Sequence, residues 1–237
     1  MGLALTQLAP ASEDRASGGQ VIDGSLKFVS GNSTHLTRTP SGAGNRRTWT
    51  FSCWVKVSSL SQGERGTIFS SNASGNLGGP TIYQDSGLRF AHAWDPTGTD
   101  YIRETVALFR DPSAWYHVVW WCDTTQAGTR WKIYVNGVEQ TLQTPGSNNG
   151  EPAQDTDLGI NTADVHFIGN FTNFSYLDGY LSQCYFVDGQ ALDSSYFGFT
   201  DPLTNTWRPK KYTGTFGTNG FYLPMDGNLR IGKDQLA

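Results

Sequence analysis

No apolar run in this chain approaches the roughly 20 residues that a helix needs to cross a bilayer, so no membrane-spanning helix is predicted. Charge is also scarce. Only 16% of the 237 residues are charged, the formal net charge is −4, and Lys and Arg are scattered rather than clustered. A sequence-independent grip on nucleic acid needs a concentrated basic face, so no nucleic-acid partner is expected. The three cysteines, Cys53, Cys122 and Cys184, form an odd set without CxxC spacing. They read as buried thiols packing as small hydrophobes, with a disulfide between two of them as the alternative. His35, His92, His117 and His166 lack zinc-ligand spacing, and no G-x-S-x-G nucleophile motif is present. Leu3-Ala4-Leu5 is too short for the core of a secretion signal, and no internal repeat is visible.

Aromatic residues (13%) and 28 glycines are what the chain has in quantity, a composition that suits a β-sandwich with many turns. The organising stretch is 115–142, WYHVVWWCDTTQAGTRWKIYVNGVEQTL. Its first strand is apolar on both faces, which predicts a mid-sheet position covered from each side. The next alternates strictly: Trp131, Ile133 and Val135 point one way, and Arg130, Lys132, Tyr134 and Asn136 the other. Asn136-Gly137 suits a type I′ hairpin turn. Further strands are expected at 25–29 with a hairpin partner at 34–39, at 49–57, and at 81–84 paired with 88–94. Others are expected at 101–109, 165–168, 176–187 and 220–223, with one helical turn within 192–197. Residues 1–24 read as a polar arm.

W-x-H-V at Trp115, His117 and Val118, followed by I-Y-V-N-G at 133–137, resembles the central hairpin of laminin-G-like, concanavalin A-like lectin sandwiches. WTFSCWVKV at 49–57 and LDGYLSQCYFVDGQAL at 177–192 resemble the strands that precede and close that hairpin. The resemblance implies an all-β, two-sheet antiparallel jelly-roll over 25–199, with an N-terminal arm (1–24) and a C-terminal extension (200–237). Hydrolases on this sandwich place paired carboxylates on one concave strand in an E-x-D-x-x-E pattern. The five glutamates, Glu13, Glu64, Glu104, Glu139 and Glu151, are isolated from any such pattern, so no enzymatic activity is expected. His92, Tyr101 and Arg103 fit a lyase-type base set only by force and read as ordinary strand residues. Relatives often hold Ca2+, and Asp178 matches the position of their acidic residue. The other reading of Asp178 is a turn aspartate that caps its own backbone.

Sugar binding calls for exposed aromatic faces beside amides and carboxylates. Trp94, Asp95, Asp100 and Tyr101, flanking one turn, are the first candidates, and Tyr134 with Asn136 the second. Trp49, Trp115, Trp120 and Trp131 read as core. The segment 207–223, with its W-x-P-x-x-Y-T-G and F-G-T-N-G-F-Y-L pieces, resembles one that follows laminin-G-like domains in structural proteins of tailed marine bacteriophages. That resemblance implies a virion component, a capsid-decorating knob or fibre part, assembled in the host cytoplasm. Its implied partners are other virion proteins, copies of itself and host glycans. A free bacterial carbohydrate-binding module or adhesin is the alternative. The apolar residues of 207–223 are expected either to fold back as an edge strand or to pack on a neighbouring copy.

Overall fold

A computed structural model describes residues 19–58, 60, 64–72, 77–84, 87–95, 100–171, 175–226 and 233–235. Most of the expected N-terminal arm, with its apolar Leu3-Ala4-Leu5 and Leu8-Ala9, and the turn at 96–99 lie outside the described residues. In chain order the strands are β1 (Leu26–Phe28), β2 (Leu36–Arg38), β3 (Thr48–Val57), β4 (Glu64–Thr67), β5 (Phe69–Ser71) and β6 (Leu77–Gln84). They continue with β7 (Leu88–Asp95), β8 (Tyr101–Thr105), β9 (Tyr116–Asp123), β10 (Trp131–Val135), β11 (Val138–Glu139) and β12 (Leu142–Gln143). The last are β13 (His166–Ile168), β14 (Gly179–Asp188), β15 (Gly198–Thr200), β16 (Trp207–Pro209) and β17 (Phe221–Leu223).

These strands form a two-sheet antiparallel sandwich. One sheet runs β1-β14-β3-β9-β10-β11, with β17 also on β14. The other runs β12-β8-β7-β6-β5-β13-β2, with β4 on β6, and β15 and β16 form a separate ribbon. The central meander forms as its alternation dictates. Trp131, Ile133 and Val135 are 1%, 0% and 3% exposed within the inter-sheet core. Asn136 (φ 48) and Gly137 (φ 86) supply the two left-handed residues of the predicted turn. Cys53, Cys122 and Cys184 are free and buried.

Two expectations need correction. β1 and β2 are not a hairpin: β1 pairs with β14 in one sheet and β2 with β13 in the other. A 3-10 turn at Ser30–Asn32 carries the chain across the gap between the sheets, a jump that short loops make as readily as a reversal. The extension also does not begin at 200, because that boundary falls inside β15. Beyond it the chain folds back on its own sandwich, where β17 pairs Phe221–Leu223 with Phe186, Tyr185 and Cys184 of β14.

The fold-back builds a third layer. Val119, Tyr134, Tyr185, Val187 and Tyr222 on the outer face of the first sheet are covered by Leu192, Phe197 and Tyr212. This is the cover that the two-sided apolar strand β9 requires, each such side chain contributing about 1.5–3 kcal/mol on burial. A buried carboxylate fastens the layer. Asp188 accepts from Asn45 N (2.8 Å), Asn161 Nδ2 (2.6 Å) and Asn219 N (3.0 Å), joining three distant loops.

Candidate functional site: a tryptophan-lined groove

The four residues that flank the 95–100 turn are divided by strand parity. Leu88, Phe90, His92 and Trp94 alternate inward along β7, so Trp94 is 9% exposed and belongs to the core. Tyr101 opposes it in the ladder and packs on the same core, the two rings 5.0 Å apart. Trp94, Asp95 and Asp100 line a small cavity of about 190 Å³ with Gly78, Gly79 and Tyr83, and Tyr101 does not. A buried indole offers no free face to a pyranose, so Trp94 is not the stacking platform that its place beside a turn suggests. The second pair is also committed elsewhere. Tyr134 lies under the C-terminal layer, and Asn136 Oδ1 accepts from His117 N at 2.9 Å.

His92 is a core imidazole. It stacks on Trp131 at 5.0 Å, donates to Lys132 O at 3.1 Å, and burial pushes its pKa down to about 3. Asp178 is half-buried at the head of β14, its carbonyl accepting from Ser58 N at 3.0 Å. Among the described residues no group of three or more His, Cys, Asp or Glu side chains gathers. Asp178 therefore lacks the convergent carboxylates that suit a Ca2+ cage of about six to eight oxygens.

The groove with the right chemistry lies elsewhere, on the outer face of the first sheet. It has a volume of about 580 Å³ and is lined by Trp54, Trp115 and Trp207. Its polar rim comes from Gln20, Asp23 and Ser25, from Ser182, and from Asp201 and Arg208. Alternation along β3 sends Trp54 outward, opposite Cys53 and Val55 in the core. Trp115 directly precedes β9 and is 37% exposed, with its ring edge-on to Tyr180 at 6.4 Å.

Trp207 is held rigidly. Its Nε1–H donates to His117 Nδ1 at 3.0 Å, and a Cβ added to Gly137 or Gly198 would come within 2.4 Å of its ring. An indole N–H can only donate, so His117 carries its proton on Nε2 and donates it to Ser52 Oγ at 2.9 Å. Burial pushes the His117 pKa down to about 3, which keeps the imidazole a neutral acceptor. The His117 ring lies 5.2 Å from Trp54 and 5.9 Å from Trp207, linking two of the three indoles.

The rim is equally fixed. Gln20 N donates to Pro209 O at 2.9 Å, while its side chain bonds Gln183 and Tyr222. Asp201 accepts from Leu203 N at 2.9 Å and pairs with Arg208 Nε at 3.6 Å. The Leu203 amide, foremost, holds the Asp201 carboxyl below its usual range. Sequence reasoning assigned Trp115 to the core and left Trp54 without a role. The available signal was that Trp54 is the lone aromatic among Thr50, Ser52 and Lys56 on the polar side of its strand.

The two sheets and their outer aromatic groove define a lectin-type sandwich. The Laminin_G_3 family, described as the concanavalin A-like lectin/glucanases superfamily, matches residues 30–195, and the chain belongs to it. No curated protein matches the chain significantly. Among solved structures it resembles a heptameric SAP-like pentraxin from Limulus polyphemus, with 18% identity over 81% of this chain and 86% of that one, and a TM-score of 0.50. It also resembles full-length tailspike protein 2 from Escherichia coli O157:H7 bacteriophage CAB120, with 13% identity, 90% of this chain, 28% of that one and a TM-score of 0.56. The enzymatically active domain of tailspike protein 2 from bacteriophage CBA120 gives 12% identity, 91% of this chain, 31% of that one and a TM-score of 0.54. This chain spans less than a third of either tailspike chain. Most of the groove's lining, at 19–25 and 201–209, lies outside the family match.

Proposed function

We propose that this protein is a non-enzymatic, glycan-binding structural component of a phage particle, and that it holds sugar in the Trp54–Trp115–Trp207 groove. One observation carries the reading. Three indoles from three separate chain segments converge on one open groove with amide, hydroxyl and carboxylate groups at its rim. Indole faces stack on the C–H surfaces of pyranoses while the rim bonds their hydroxyls. Trp115 is the one exposed tryptophan, a state that folding alone does not favour.

The state of the titratable groups supports the non-enzymatic reading. A general acid near neutral pH needs a raised carboxyl pKa. The carboxyls that are displaced, Asp111, Asp123 and Asp201, all move down. His92, His117 and His166 are neutral buried groups. The phage context rests on the resemblance of 207–223 to virion structural proteins, and the likeness to phage tailspikes extends to the fold alone. Such a component assembles in the host cytoplasm on other virion proteins and copies of itself.

A glycan array probed with the full chain and with Trp115→Ala tests the site. Binding that Trp115→Ala weakens by about tenfold, roughly 1.4 kcal/mol, is expected. Equal binding by both chains would remove the groove from consideration. Release of reducing ends from any bound polysaccharide would refute the non-enzymatic reading, and mass spectrometry of purified particles would place the protein in or outside a virion.

A further inference from the structure

We infer that the groove selects uncharged pyranose chains and rejects acidic glycans, an inference that rests on the glycan-binding reading above. Among the described residues three charged side chains line the groove: Asp23, Asp201 and Arg208. The cation is already engaged. Arg208 Nε lies 3.6 Å from Asp201 Oδ2, and the Asp201 side chain is 8% exposed. A glycan carboxylate that took Arg208 would leave Asp201 buried without its cation, the costly half of a broken ion pair. Asp23 stands exposed on the same rim and repels a second anion. A further cation, Lys27, sits 5.8 Å above the Tyr180 ring and does not line the groove.

The described lining thus carries two negative charges and one positive charge, and the positive one is paired. An uncharged pyranose meets no such penalty. Its apolar face finds three indoles, and its hydroxyls find the exposed Ser25 and Asp23. Carboxylate oxygens accept readily from sugar hydroxyls, so the acidic rim that excludes anions also favours polyols.

The test titrates the full chain with matched hexasaccharides, followed by tryptophan fluorescence and calorimetry. One set is built of glucose, mannose or N-acetylglucosamine, the other of galacturonate or glucuronate. The expected result is binding within the uncharged set, weakened in Trp115→Ala, with the acidic set about tenfold weaker or absent. Asp23→Arg should raise affinity for the acidic set by about tenfold, and added salt should erase that gain. An acidic set that binds the unaltered chain as tightly as the uncharged set, and is lost in Trp115→Ala, overturns the charge inference while the glycan reading stands. Binding by neither set, or binding that Trp115→Ala leaves intact, overturns the glycan reading and the inference with it.

Discussion

Acid should destabilise this protein well before its carboxylates titrate, because three imidazoles are buried in the neutral form. Burial pushes His92 and His117 down to about 3 and His166 to about 4, from an ordinary value of 6.5. Each has bonds suited to the neutral ring. His166, for example, accepts from Asn161 N at Nε2 (2.9 Å) and donates from Nδ1 to Asp164 O (2.9 Å). Between 6.5 and the folded values the unfolded chain binds more protons than the native one, so stability rises with pH and is lost as pH falls through that window. At about pH 5 each unfolded imidazole lies about 1.5 units below its pKa. At about 1.36 kcal/mol per unit, that is about 2 kcal/mol per residue and about 6 kcal/mol for the three. A domain has only about 5–15 kcal/mol in total. Asp111, Asp123 and Asp201, held low, add their losses only further down, as pH falls through the carboxylate range. Urea titration at about pH 7 and about pH 5, at matched ionic strength, should show a lower midpoint with an unchanged m-value. A loss below about 1 kcal/mol would refute the reasoning, since even one neutral buried imidazole accounts for more. Glycan affinity at about pH 5 should fall only with the folded fraction, because His117 in the folded chain stays a neutral acceptor for Trp207.

Two further outcomes follow from single contacts. Trp207→Ala removes both the ring seated against Gly137 and Gly198 and the donor to His117, and should lower stability by about 2–4 kcal/mol while weakening glycan binding. Thermal unfolding and the same glycan titration measure the two effects, and loss of neither would show that the indole is not a wall of the groove. Asp188→Ala orphans the donors of Asn45, Asn161 and Asn219 together, and should cost about 3 kcal/mol or more in denaturant unfolding. A change under about 1 kcal/mol would mean that these loops find other partners.

The sandwich was legible because its signals are local. Alternation at 130–136 decides which face of β10 is buried, and Asn136-Gly137 decides the turn, within a few residues of chain. The apolar character of β9 on both faces also called for a cover, although it did not say which segment would supply it. Partner choice was not legible. Residues 25–39 look like a hairpin whether the second strand returns to the same sheet or crosses to the facing one, because both answers need the same short strands. The burial of two sugar-site candidates was not legible for a related reason. Trp94 and Tyr101 flank a turn, which suggests exposure, yet strand parity relative to a core built from other segments turns both inward.

Trp115 joins an apolar run in sequence but sits one residue before β9, where the sheet's outer face leaves it open. The groove itself unites Gln20 and Asp23 with Trp54, Trp115, Asp201 and Trp207. The sequence alone determined the all-β class, the central meander and the buried thiols, since each depends on residue type and short-range period. Only the tertiary structure decided which tryptophans face water. Exposure is a property of what packs above a side chain, and here part of that cover comes from distant segments, as His117 does for Trp207.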